Sequence, residues 1–163
     1  MMSSVLKVLL LSSQELLPNY EPDLWNDNGT IQDNNNCYNY ACNIQTNTYA
    51  QPGEASGNMY TSFTCDDISN GAISDGLKRI ESQKKCGLCC HKVALAMDSD
   101  NNPDYHWYRQ DRDGLWSHKP GMGSVRNYDN AGSLIHDPSS ANRGRYNIFC
   151  GYFCVCKGCI KIK

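Results

Sequence analysis

The stretch DYHWYRQDRDGLWSHKPG, residues 104–121, reads as two strands joined by a turn at Asp-Arg-Asp-Gly. The length of that turn matters, because a one-residue change of register carries every side chain to the other face of the sheet. Gly114 suits the left-handed position of a three-residue loop that follows a type I turn over Arg112 and Asp113. This register pairs Asp111 with Leu115 and Tyr108 with His118. His106 and His118 then become diagonal neighbours on one face, within reach of each other's rings. A plain two-residue turn would put them on opposite faces. Trp107 and Trp116 flank the hairpin and are expected to point away from the histidines, with walling a cleft as their weaker alternative role.

Working outward, residues 91–97 (HKVALAM) read as a buried strand, residues 104–110 and 115–119 as the hairpin, and residues 129–132 as a further turn. The run YNIFCGYFCVC, residues 146–156, is apolar on both faces and is expected inside a sheet. Upstream the period becomes helical. Asn34, Asn35 and Asn36 are capping residues, and Tyr38, Ala41 and Cys42 follow at helical spacing, so a helix begins at or beside Cys37. A second helix is expected over residues 66–83, capped by Asp66 or Asp67, with Ile68, Ala72, Ile73, Leu77 and Ile80 as its apolar stripe. Residues 18–36 and 45–64 read as loops that shape a cleft. Helices followed by a run of antiparallel strands make an α+β fold, with N-terminal helices packed on an antiparallel β-sheet. A chain of 163 residues fits one domain. Its parts are a lead segment and loop (1–36), the Cys/His elements (37–120) and C-terminal strands with a cysteine cluster (121–163).

A net charge of −2 gives no global attraction to phosphates, and Lys157, Lys161 and Lys163 are too few for a nucleic-acid track. Nucleic acid is excluded as the expected partner. The apolar run from Val5 to Leu11 is too short to span a bilayer. Without a charged start it does not make a convincing signal peptide. It is expected to pack on the domain as a first strand or short helix, in a protein that is cytoplasmic or non-classically exported.

The paired histidines raise the question of a nucleophile. Cys37 opens a helix, where the dipole and free N–H groups favour a thiolate and hold an oxyanion. Asn36 and Tyr38 flank it as oxyanion or positioning residues. In this reading His106 takes the thiol proton, His118 orients His106, and the thiolate attacks an amide carbonyl.

Cys37 in NNCYNYA, His106 in DYHWYR and His118 in LWSHKPG together resemble the NlpC-type cysteine peptidases of the papain-like fold. The resemblance covers the middle half of the chain. It departs from the family pattern in Asn36, where Asp is common, in Tyr38-Asn39, where Ser-Gly is common, and in a longer Cys-to-His separation. What it implies is a thiol hydrolase with a Cys-His-His triad, needing no catalytic cofactor and acting on a peptide or protein, peptidoglycan peptides included. Two alternatives stand beside it. One is a secreted effector of deamidase or transglutaminase-like type acting on a protein; the other is a non-enzymatic, cysteine-stabilised binding module.

The remaining cysteines cluster as Cys86, Cys89 and Cys90, and as Cys150, Cys154, Cys156 and Cys159. Two Cys-x-x-Cys pairs suit a structural zinc site at Cys86, Cys89, Cys156 and Cys159. Disulfides between the same two regions, or unlinked thiols, are the other two readings.

Overall fold

Val93, Leu95 and Met97 alternate with Ala94 and Ala96, so one strand carries large side chains to one face and small ones to the other. In a computed structural model, which describes residues 17–100 and 102–163, this is the central strand of a five-stranded antiparallel sheet. The strands are β1 (Lys78–Ile80), β2 (Cys90–Asp98), β3 (Asp104–Gln110), β4 (Trp116–His118) and β5 (Ile148–Cys156). Their order is β1-β5-β2-β3-β4. The expected apolar run does lie inside the sheet, since β5 pairs with both β1 and β2. The expected element from Val5 to Leu11 lies outside the described residues.

Among the described residues three α-helices accompany the sheet: α1 (Thr30–Asn34), α2 (Cys37–Cys42) and α3 (Cys65–Ser74). Residues 18–36 therefore hold a helix, and a 3-10 turn at Pro22–Leu24, where a loop was expected. The second helix is also shorter than its apolar stripe suggests, because Gly76 takes φ +111°. A side chain there would meet the Cys159 carbonyl oxygen at 2.3 Å. The chain turns at that point, and Lys78 to Ile80 pair with β5.

Both faces of the sheet are covered. Val93, Leu95, Trp107 and Phe153 pack against Tyr38 and Ala41 of α2 and Ile68 and Ala72 of α3. Gly71 lets α3 approach the loop closely, since a β-carbon there would lie 2.7 Å from the Pro52 carbonyl oxygen. On the other face Ala94, Ala96, Tyr108, Trp116 and Tyr152 pack with Ile135. The small alanines leave room for those rings. The turn expected at residues 129–132 forms, with Asp129 N–H donating to Ser133 O at 2.9 Å. Its flanks extend the β4 edge only through isolated bridges, at Trp116–Ile135 and His118–Arg126.

Candidate functional site

Helix α2 starts where the capping residues place it. Asn36 Oδ1 accepts from the N–H groups of Tyr38 (2.9 Å) and Asn39 (3.1 Å), and Asn39 Oδ1 accepts from Asn36 N–H in return. This reciprocal cap satisfies orphan donors of the first turn. It also engages the groups expected to hold an oxyanion. Tyr38 N–H is bonded to Asn36, and Asn36 Nδ2 donates to the Ala50 carbonyl at 2.7 Å. The Tyr38 hydroxyl donates to buried Asp75 at 2.9 Å. Asn36 and Tyr38 are thus engaged in holding the start of the helix that carries Cys37.

The hairpin adopts the bulged register. Gly114 takes φ +87°, Asp111 N–H donates to Leu115 O at 2.9 Å, and Tyr108 pairs with His118. His106 Nε2 lies 2.7 Å from His118 Nδ1. His118 Nε2 lies 3.1 Å from the Tyr128 carbonyl oxygen and 3.2 Å from Arg126 Nε. With its proton on Nε2, His118 donates to Tyr128 and accepts from His106. With the proton on Nδ1, it accepts from Arg126 and donates to His106. Either assignment leaves both rings neutral. Burial, then His118 and Arg126, holds His106 well below the ordinary histidine range. Burial lowers His118 to about 4, against the Tyr128 carbonyl.

Cys37 and His106 line one cavity of about 130 Å³, with Gln51, Tyr60, Tyr105 and Tyr146. Gln51 Oε1 accepts from the Tyr60 and Tyr105 hydroxyls at 2.9 and 2.7 Å. Tyr146 stacks on His106 with ring centroids 5.0 Å apart and donates to Asp104 at 2.8 Å. Burial pushes the Cys37 thiol up to about 12. Burial thus works against both a thiolate at Cys37 and an imidazolium at His106.

The two tryptophans do not wall this cavity. Trp107 is fully buried in the helix-side core. Trp116 lies in the opposite core with Tyr108. It thus shares the face of the two histidines, a correction to its expected direction, because positions 116 and 118 have the same strand parity.

A buried polar network escaped the sequence reading. Arg109 Nε donates to Asp111 at 2.9 Å, and its other nitrogens donate to Tyr40 (2.7 Å), Asn43 (3.0 Å) and the Asn19 carbonyl (2.8 Å). Ser117 donates to the second Asp111 oxygen at 2.5 Å. Burial pushes the Asp111 carboxyl up despite the Arg109 charge, so the pair is costly to bury and held by its hydrogen bonds. The signal in the sequence was the parity of Arg109 with Trp107, which turns it inward. Arg109→Ala is expected to lose about 3–5 kcal/mol, since it leaves Asp111 buried and unpaired. Urea unfolding checks this, and a loss below about 1 kcal/mol would contradict the assignment. Lys119 was missed as well. It is fully buried and donates to the carbonyls of Gln32 and Gly121 at 2.5 and 2.6 Å.

The cysteine clusters pair as disulfides: Cys65–Cys150, Cys86–Cys154 and Cys90–Cys156. The zinc quartet of Cys86, Cys89, Cys156 and Cys159 is thereby corrected, because two of its members are bonded to other cysteines. Among the described residues no group of three or more His, Cys, Asp or Glu side chains is placed to hold a metal ion. Among the same residues no helix is long and apolar enough to cross a membrane.

No family model matches the chain, and no solved structure matches it. Over 133 residues the chain is 43% identical to "Insoluble matrix shell protein 1" of Ruditapes philippinarum, a match that covers 82% of this chain and 86% of that protein. This finding overturns the expected thiol hydrolase, peptidase or amidase, and the deamidase alternative with it. It also overturns the expected cytoplasmic location, as do three disulfides that a reducing cytosol would not maintain.

Proposed function

The chain belongs to the family of insoluble matrix shell protein 1, and on that premise we propose that it is a secreted, disulfide-bonded structural component of an insoluble extracellular matrix. Kinship with a protein named for that role carries the reading. The cysteine chemistry supports it, since six of the ten cysteines are paired within the fold and such pairing belongs to oxidising compartments. The partners in this reading are other components of the same matrix.

The histidine hairpin and the cap of α2 then serve as scaffold. We read the core as a papain-like layout in a structural role. Supporting this, α2 opens at Cys37 and packs on β3, while β3 and β4 carry the two histidines. A crystal structure in which the Cys37 helix did not lie against β3 would remove this part of the reading. For the role itself, antibody staining of expressing tissue is expected to mark extracellular matrix. Staining confined to the cytosol would overturn it.

A further inference from the structure

Ten cysteines divide by environment into three groups. Six are paired in disulfides that all end on β5. Cys37 and Cys42 are unpaired but buried, and burial pushes both thiols up, which keeps them protonated and out of exchange chemistry. Cys89 and Cys159 remain. Cys159 is exposed and Cys89 half-buried, and neither is paired within the fold.

These two lie at the same end of the sheet. Cys89 immediately precedes β2 and holds left-handed backbone at φ +60°. Its carbonyl accepts from Lys157 N–H at 3.0 Å, just beyond β5, and Cys159 follows in the turn closed by its N–H to Cys156 O at 3.0 Å. Beside Cys89, Leu88 is 74% exposed. The tip thus offers two thiols and an apolar side chain to whatever meets it. The disulfides Cys86–Cys154 and Cys90–Cys156 brace the segments that carry both thiols, so their placement survives while they react.

We propose that Cys89 and Cys159 are intermolecular cross-linking sites, through which copies of this chain join by disulfide bonds. The inference rests on the matrix reading, which places the chain where thiols are oxidised. The co-reactant is a low-molecular-weight disulfide. The thiolate of Cys89 or Cys159 attacks one of its sulfurs, forming a mixed disulfide and expelling one small thiol. A thiolate on a second copy then attacks the protein sulfur of that mixed disulfide, forms the bond between chains and expels the second small thiol. Two protein thiols lose two protons and two electrons, and one small disulfide becomes two small thiols. A chain with one outward thiol stops at a dimer, whereas two such thiols allow each copy two bonds.

The test uses the full chain secreted from cultured cells in two forms, ordinary and nitrogen-15 labelled, mixed and exposed to oxidised glutathione. Expected are covalent species of two or more copies on a non-reducing gel, and hybrid light–heavy disulfide peptides containing Cys89 or Cys159. The C89S/C159S variant is expected to remain monomeric with its three internal disulfides intact. A Cys89–Cys159 bond made only within one chain would overturn the proposal, as would covalent species that persist in the double variant or fail to form in the parent. If the parent is stained in the extracellular matrix yet forms no hybrid disulfides through Cys89 or Cys159, cross-linking through these thiols fails while the matrix role stands. Staining confined to the cytosol would instead remove the matrix role.

Discussion

Removing the three disulfides is expected to unfold the chain at physiological temperature. Cys65–Cys150 ties the first residue of α3 to β5, Cys86–Cys154 ties the β1–β2 connection to it, and Cys90–Cys156 ties β2 to it. They close sequence separations of 85, 68 and 66 residues. Loops of that size are worth about 4 kcal/mol each by chain entropy, and measured losses run at about 2–5 kcal/mol. The loops overlap, so the three contributions do not simply add. Even one such loss is a large part of the roughly 5–15 kcal/mol that holds a domain together. Near-ultraviolet circular dichroism with and without a strong reductant checks this, using the paired variants C65A/C150A and C90A/C156A to separate the bridges. Thermal midpoints unchanged after complete reduction would contradict it.

Acid is expected to produce the second large effect, through histidines that the fold keeps neutral. Burial lowers His91 to about 4, although its Nε2 sits 2.7 Å from the Ala41 carbonyl oxygen, and lowers His118 to about 4. His106 is lowered well below its ordinary value. Above about pH 6.5 these rings are neutral in both folded and unfolded chains and stability is at its full value. As pH falls below that, the unfolded chain takes up protons that the folded chain refuses, so stability declines until the folded rings protonate. Between pH 6.5 and 4 the loss is on the order of 3 kcal/mol for each of His91 and His118. Asp111 opposes it, because burial raises its carboxyl and lets the folded chain bind that proton earlier. Asp98 and Asp137, both lowered, add to the loss at still lower pH. Urea midpoints measured from pH 8 to pH 4 are expected to fall below pH 6.5. A flat profile down to pH 4.5 would contradict the buried, neutral histidines.

Where local chemistry decides the outcome, the sequence was readable. Gly114 set the hairpin register because only a left-handed residue closes that three-residue loop. The asparagines before Cys37 set the start of α2 because a cap bonds within three residues of itself. Tertiary contacts set the rest. The helix expected to reach residue 83 stops at Ser74, where Gly76 admits the backbone of the C-terminal segment. Disulfide partners depend on which strands lie side by side, and spacing alone left zinc, disulfides and free thiols equally open. The geometry inferred for Cys37, His106 and His118 also outran its chemistry. The histidines do bond, and His106 alone of the two lines a cavity with Cys37, but the depth of burial that pushes the thiol up is a property of the packed fold.

The central claim is most directly tested on the extracellular residue that survives salt and detergent extraction of expressing tissue. Free thiols are blocked at lysis and the residue is digested without reductant for mass spectrometry. The account predicts peptides of this chain concentrated in that residue, with Cys65–Cys150, Cys86–Cys154 and Cys90–Cys156 recovered as linked pairs. Recovery chiefly from the soluble cytosolic fraction, with those six cysteines blocked as free thiols, would contradict it.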